Sequence, residues 1–128
     1  MDRQAYKAMF ELENRHWWYV GMWDITAAVI TGFYPGEQHL EILDCGCGTG
    51  GTTANLSHFG SVTSCDVSSL AVSYGHERGL ERLSQASVGA LPYANERFDL
   101  IASFDVLYHN RVRDYVKALD EMQRVLKP

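Results

Sequence analysis

An apolar run that ends in a carboxylate and passes at once into a glycine-rich turn constrains this sequence more than any other feature. Residues 40–50 read LEILDCGCGTG, and residues 51–59 can continue as a helix. Glycines carry no Cβ, so a ligand can approach the backbone of such a turn, and the first N–H groups of the helix are free to face it. The stretch therefore predicts a strand, a tight turn and a helix N-terminus around a ligand, with Asp44 delivered to the turn by the strand.

Strand-like and helix-like patterns alternate through the rest of the chain. The predicted strands are residues 41–45, 61–65, 83–86 and 98–104, and the predicted helices are residues 3–15, 22–33, 51–58, 69–78 and 112–126. Strands separated by helices are typical of a parallel sheet with right-handed crossovers. We therefore predict one α/β domain over residues 1–128, with a Rossmann-like, mostly parallel sheet and flanking helices. Residues 1–36 would form an N-terminal helical cap and residues 37–128 the core.

The spacing of apolar residues also predicts which helix faces are buried. On the second helix Ile25, Val29 and Phe33 recur on one face. The predicted apolar stripe of the last helix consists of Val112, Tyr115, Val116, Leu119, Met122 and Leu126. On its outer face Asp120 and Arg124 have the i, i+4 spacing of an ion pair.

Charge and hydropathy argue against several classes of function. The net charge is −5 and there is no run of Lys and Arg, which predicts that nucleic acid is not a partner. No apolar run reaches the roughly 18 residues of a membrane span. The first residues, MDRQ, lead into a charged helix rather than an apolar signal core, so we predict a cytoplasmic location.

The three cysteines, Cys45, Cys47 and Cys65, are predicted to be reduced thiols near the ends of two neighbouring strands. A structural zinc site needs four ligands, and the Cys-x-Cys spacing is not that of a zinc knuckle. We therefore predict no metal site.

Two enzyme classes fit the glycine turn when it is considered alone. Gly46, Gly48 and Gly51 satisfy the G-x-G-x-x-G pattern of dinucleotide-binding proteins. Asp66 follows the second strand, where a carboxylate can accept two hydrogen bonds from a ribose diol in a nicotinamide enzyme or in a methyltransferase. A structural alternative is that Asp66 stabilises the dipole of the next helix. Because the carboxyl ends of parallel strands share one edge, we expect Asp44 and Asp66 to meet there.

Several motifs together resemble the class I S-adenosylmethionine-dependent methyltransferases. Residues 44–50, DCGCGTG, resemble motif I of that family, (D/E)-x-G-x-G-x-G. The family's LP(F/Y) and FD(L/V)(I/V) segments resemble residues 90–93, ALPY, and residues 98–101, FDLI. The family's motif after the fourth strand resembles residues 105–109, DVLYH. Its segment before the fifth strand resembles residues 124–128, RVLKP. Residues 13–19, ENRHWWY, resemble the E-x-x-HWW(Y/F) opening of a type 11-like subgroup.

The resemblance implies a cofactor, a set of binding residues and a reaction. The cofactor would be S-adenosyl-L-methionine, with Asp44 facing its methionine amino end, Asp66 binding its ribose hydroxyls and Val67 packing on adenine. The implied cofactor-binding residues are Asp44, Gly46, Cys47, Gly48, Gly50, Asp66, Val67, Ser87, Val88, Ser103 and Phe104. The reaction would be in-line methyl transfer, for which alignment supplies most of the acceleration and no catalytic base is obligatory. His109 is the base candidate near the fourth strand, and a structural or surface role is its alternative.

Other functions compete with this interpretation. The protein could instead be an NAD-dependent oxidoreductase, or a non-catalytic nucleoside-binding or interaction module. Trp17 and Trp18 could either pack over the sheet or form a lid on the ligand. The acidic composition favours a small-molecule acceptor over nucleic acid.

The family's fold has seven strands, of which this chain supplies four before Pro128. The resemblance therefore predicts the N-terminal portion of a longer methyltransferase, truncated after the fourth strand and its helix and incomplete at the C-terminus. The fourth strand would be an exposed sheet edge, through which two copies could pair as a homo-oligomer.

Overall fold

The computed structural model describes residues 2–36, 39–107 and 112–128 of the protein. Its elements are α1 (Arg3–Leu12), α2 (Trp17–Phe33), β1 (Leu40–Cys45), α3 (Gly51–Leu56), β2 (Gly60–Asp66), α4 (Ser69–Glu77), β3 (Leu83–Gln85), β4 (Leu100–Ala102) and α5 (Tyr115–Val125). A 3-10 turn, Ser57–Phe59, joins α3 to β2. None of the helices in these ranges has the length and hydropathy that a membrane crossing requires.

The four strands form one parallel sheet in the order β3-β2-β1-β4. Strand β1 lies between β2 and β4, with Cys45 paired to Cys65 on one side and Asp44 paired to Ala102 on the other. After β1 the chain forms β2 and β3 on one side of this strand, and it then crosses back to form β4 on the other side. Ligands of such sheets bind beyond the carboxyl ends of the strands at this reversal. The predicted fold class, a Rossmann-like parallel sheet with flanking helices, is confirmed.

Alternating residues of β1 divide the core between the two faces of the sheet. Leu43 and Cys45 belong to a cluster that includes Phe98 and residues of α5. Leu40 and Ile42 belong to a second cluster, with Ile30 of α2 and Leu56 of α3. Helices α2 and α3 thus cover one face and α5 covers the other, which puts the side chain of Asp44 on the α3 side.

Helix α2 differs from its prediction in both its start and its buried face. It begins at Trp17 because the His16 ring accepts a hydrogen bond from the Trp18 backbone N–H, at 3.3 Å. Ile30 is buried, whereas the predicted stripe is exposed, and Phe33 is 79% exposed. Apolar side chains occur all around this helix, so their spacing could not identify the face that packs.

The predicted face of α5 is only partly right, since Met122 is buried and Val112 packs against the same core cluster, and the predicted ion pair is wrong. Its buried residues are Ala118, Met122 and Val125, whereas Tyr115, Val116 and Leu119 are exposed. Arg124 pairs with Glu121 rather than with Asp120, at 2.6 Å. The Arg124 guanidinium is held near Glu121 because it also donates to the backbone oxygens of Leu91 and Tyr93 and to the side-chain oxygen of Asn95.

Strand β4 is shorter than the predicted 98–104. Phe98 instead forms an isolated parallel bridge with Leu126, and Lys127 N–H donates to the Phe98 oxygen at 2.8 Å. Asp99 turns its carboxylate toward β1, where it accepts a hydrogen bond from the Glu41 N–H at 2.8 Å. The chain that follows α5 therefore lies beside the start of β4.

Replacing Gly60 with alanine is expected to destabilise the sheet strongly. A Cβ at this position would collide with the backbone oxygen and nitrogen of Leu40, the residue paired with Gly60 at the start of β1. A backbone cannot move aside as a side chain can, so we expect the free energy of unfolding to fall by about 3 kcal/mol, at the upper end of overpacking effects. Urea unfolding measures this change.

Gly32→Ala is the matched control, since nothing lies within 4 Å of a Cβ built on this helical residue. It should stabilise the protein by about 0.5–1 kcal/mol, the usual helix preference for alanine. Equal effects of the two substitutions would show that β1 and β2 do not meet as described.

Candidate active site

The glycine turn after β1 is tied to the end of β2 by three hydrogen bonds that its backbone N–H groups donate. The N–H groups of Gly46 and Cys47 donate to the Cys65 oxygen at 2.8 and 3.0 Å, and the Gly48 N–H donates to the Asp66 carboxylate at 2.9 Å. Gly46 has φ +75°, and a Cβ there would collide with the side chain of Val106. Glycine is therefore required at this position for conformation and for space. The turn and the acid that ends β2 form one continuous structure.

Asp66 accepts hydrogen bonds from the glycine turn and from the start of α4. One carboxylate oxygen accepts from Gly48, and the other accepts from the Ser68 N–H at 2.9 Å, at the start of α4. Each oxygen keeps a further lone pair, because an ionised carboxylate offers about four acceptor positions. Asp66 also lines the pocket described below, so these lone pairs can meet a ligand.

Asp44 lies beneath the turn rather than in the pocket wall. It is 1% exposed, and its Oδ2 accepts a hydrogen bond from the Thr53 hydroxyl at 2.7 Å. Burial raises the pKa of Asp44 to about 7, and the Asp66 and Glu13 carboxylates raise it too, while the bond from Thr53 opposes the shift. Asp44 is therefore poised to gain or lose a proton near neutral pH.

A pocket of about 400 Å³ opens beyond the carboxyl ends of the strands. This volume lies within the ~300–1,000 Å³ typical of small-molecule sites. The predicted residues that line it are Gly46, Cys47, Gly48, Asp66, Val67, Ser87, Val88 and Phe104. Asp44, Gly50 and Ser103 are not in its wall, and a Cβ on Gly50 would face Leu80. His109 lies outside the described residues.

The N-terminal helices form a roof over the pocket, for which the sequence predicted only a helical cap and, as one of two alternatives, a lid made by Trp17 and Trp18. The roof consists of Tyr6, Met9, Glu13, Trp18, Tyr19 and Met22, all of which line the pocket. Trp18 is about half exposed and Trp17 is 73% exposed, so neither belongs to the buried core, and of the two only Trp18 lines the pocket. The E-x-x-HWW(Y/F) pattern was the available signal for this roof, because it spans Glu13, Trp18 and Tyr19.

The charges around the pocket are negative. Its described lining contains Glu13, Asp66 and Asp105 but no Lys or Arg, and Asp44 lies just behind it. Carboxylates grouped at a cleft favour a cationic ligand. Burial raises the pKa of the Cys47 thiol, which keeps it protonated. Among the residues that the structure describes, no group of three or more His, Cys, Asp or Glu side chains could hold a metal ion.

Comparison with known proteins decides between the two enzyme classes that the glycine turn allows. Residues 42–128 match the methyltransferase domain family. The chain belongs to that family. The resemblance to the S-adenosylmethionine-dependent methyltransferases is confirmed, and the family is not that of the nicotinamide oxidoreductases. The matched residues contain the glycine turn, Asp66, strands β2, β3 and β4 and most of β1.

Relatives and solved structures agree with this family. The chain is 33% identical over 118 residues to the ubiquinone/menaquinone biosynthesis C-methyltransferase UbiE of Shewanella sediminis, covering 84% of this chain and 45% of that protein. It is 26% identical over 136 aligned positions to the malonyl-[acyl-carrier protein] O-methyltransferase of Enterobacter lignolyticus, covering 100% of this chain and 51% of that protein. A SAM-dependent methyltransferase from Aquifex aeolicus has the same fold, with a TM-score of 0.69, 22% identity and coverage of 100% of this chain and 69% of that one. The chain thus spans about half the length of these curated relatives.

Proposed function

We propose that the pocket binds S-adenosyl-L-methionine and that the protein transfers its methyl group to a small-molecule acceptor. The observation that carries this proposal is the direct hydrogen bond between the glycine turn and Asp66 at the floor of an acidic pocket, in a chain of the methyltransferase domain family. This arrangement can hold the two ends of one nucleoside ligand at once.

The residues of the pocket fit the chemical parts of that cofactor. The free lone pairs of Asp66 would accept hydrogen bonds from the ribose hydroxyls. The exposed side chain of Val67 and the buried side chain of Val88 both line the pocket, and the two would pack on adenine. The bare backbone at Gly46 and Gly48 would lie against the methionine end, with Asp44 beneath it.

Charge supports the same fit. The cofactor supplies a methyl group bound to a positively charged sulfonium, and methyl transfer removes that charge. Carboxylates at Asp66 and Asp105 therefore favour the cofactor's sulfonium over the neutral thioether sulfur of its product. The protein's contribution would be to bind, orient and exclude water, because alignment of donor and acceptor supplies much of the acceleration.

The acceptor would enter beside Trp18 and Tyr19, at the exposed rim of the roof. Aromatic side chains with one polar end suit an apolar or planar small molecule. The two curated relatives are named for a C-methyl and an O-methyl transfer, so phenol-like, quinol-like and carboxyl acceptors form the test panel.

The finer expectations about partners and location belong to the same proposal. We propose that the protein works in the cytoplasm, with no nucleic-acid partner. Its described residues include three free, buried cysteines, which suits a reducing compartment. Pairing of two copies would use β4 (Leu100–Ala102), which is paired with β1 on one side and, among the described residues, with no strand on the other.

Calorimetric titration with S-adenosylhomocysteine and with NAD tests the cofactor. We expect S-adenosylhomocysteine to bind at least ~10-fold more tightly, a difference of about 1.4 kcal/mol. Tighter binding of NAD would contradict the proposal. Incubation with S-adenosylmethionine and the acceptor panel, followed by mass spectrometry, then tests transfer, and cofactor binding without any methylated product would favour a binding module.

A further inference from the structure

Glu13 is a buried carboxylate with three partners from distant parts of the chain. Its side chain is only 6% exposed. It accepts a hydrogen bond from the Thr49 hydroxyl at 2.5 Å and forms an ion pair with Arg78, and the Gly51 N–H also favours its ionised form. Burial nevertheless raises its pKa, so the site holds this carboxylate at an electrostatic cost.

The partners of Glu13 connect three elements at one end of the pocket. Thr49 belongs to the glycine turn, Gly51 is the first residue of α3, and Arg78 follows α4. Arg78 also donates to the backbone oxygens of Thr49 at 2.9 Å and of Phe10 at 3.3 Å. Helix α1, which ends just before Glu13, is thereby attached to the second half of the turn.

The start of α3 is built to receive this carboxylate. Its N-cap, Gly50, has no side chain to bond the free N–H groups of the first turn. A Cβ on Gly51 would collide with the Glu13 carboxyl group, so glycine at this position leaves the space that the carboxylate fills. A negative charge at a helix N-terminus is favourable, and here it comes from a residue 38 positions earlier in the chain.

We infer that Glu13 is a positioning residue of the cofactor pocket, whose carboxylate fixes the second half of the glycine turn and holds the roof over it. This inference rests on the proposed function. A buried ion pair gives little net stability over a well-packed apolar replacement, so stability alone does not account for Glu13. Thr49, which Glu13 holds, directly follows Gly48, whose backbone would lie against the methionine end, whereas the nucleoside end would lie at Asp66 and Val67.

Positioning and stability predict different results with a shortened ligand. Loss of positioning at the turn should weaken binding of S-adenosylhomocysteine, which has the methionine end, much more than binding of adenosine, which lacks it. Loss of stability alone reduces the folded population, so it weakens the binding of both ligands by the same factor.

The test is calorimetric titration of Glu13→Gln with both ligands. We expect the Kd of S-adenosylhomocysteine to rise about tenfold, as for loss of one charge-assisted contact, and the Kd of adenosine to change by less than about threefold. Glu121→Gln is the matched control, since it removes the Arg124 ion pair on α5 away from the pocket and should change neither Kd.

Thr49→Val provides a second, milder variant, because it removes one donor to Glu13 and keeps the ion pair with Arg78. Thr49→Val should weaken the binding of S-adenosylhomocysteine by about threefold, the effect of losing one neutral hydrogen bond, and should leave the binding of adenosine unchanged. Equal weakening of both ligands in either variant, or no change in either, would overturn the positioning role. Failure of the wild-type protein to bind S-adenosylhomocysteine would overturn the proposed function and this inference with it.

Discussion

Replacement of Asp66 with alanine is expected to raise the Kd of S-adenosylhomocysteine about a hundredfold, the equivalent of about 3 kcal/mol. The substitution removes the acceptor for the ribose hydroxyls and the acceptor for the Gly48 N–H at 2.9 Å. The turn then loses one of its three hydrogen bonds to the end of β2 at the same time as the ligand loses its partner. Calorimetric titration measures the change, and Asp66→Asn, which keeps one acceptor oxygen, should show an intermediate loss.

Asp99→Ala is the matched control for Asp66→Ala. Asp99 also accepts a backbone N–H, from Glu41 at 2.8 Å, and it also has a second partner, Lys127 at 3.1 Å, but it does not line the pocket. The Asp99→Ala substitution should lower the free energy of unfolding and leave the Kd of S-adenosylhomocysteine unchanged. If Asp66→Ala binds S-adenosylhomocysteine as tightly as the wild type, Asp66 does not contact the ligand.

The second large effect concerns Asp44 and pH. Its folded-state pKa of about 7 lies above the unfolded value, so the folded protein holds the proton more tightly. The free energy of unfolding should therefore fall as the pH rises from about 4 to 7, by about 4 kcal/mol in total for this group. Asp44→Asn has no charge to bury, so at pH 8 it should be more stable than the wild type without ligand. Urea unfolding at pH 5 and pH 8 measures the difference.

Cofactor binding should respond to Asp44 in the opposite direction. The ionised carboxylate attracts the cofactor's ammonium group, so affinity for S-adenosylmethionine should rise about tenfold between pH 6 and 8. Asp44→Asn should bind weakly and without this pH dependence. The carboxylates of Asp66 and Glu13 face Asp44, and they remain in the variant as an internal control. A variant that keeps the wild-type pH profile would show that another group titrates.

The sequence predicted that the glycine turn and Asp66 meet, because the signals for both are local. The run of residues 40–50 carries a strand, a turn and a helix start in adjacent positions, and Asp66 follows the next strand directly. The parallel order of the strands then brings the turn and Asp66 together without further information. The three N–H groups that tie them follow from that geometry.

The roof was not predictable in the same way, because its contacts are long-range. Glu13 meets Thr49 and Arg78, which are 36 and 65 residues away. No spacing pattern relates such residues. The inner face of helix α2 was hard to predict for a different reason. Its apolar side chains lie all around the helix axis, so only the burial of Ile30 in the core identifies the face that packs.

A crystal structure of the protein with S-adenosylhomocysteine bound tests the central claim most directly. We predict that both ribose hydroxyls lie within hydrogen-bonding distance of the Asp66 carboxylate, with the amino-acid end against the backbone of Gly46 and Gly48. A ligand bound elsewhere, or one whose ribose faces away from Asp66, would contradict the proposed site.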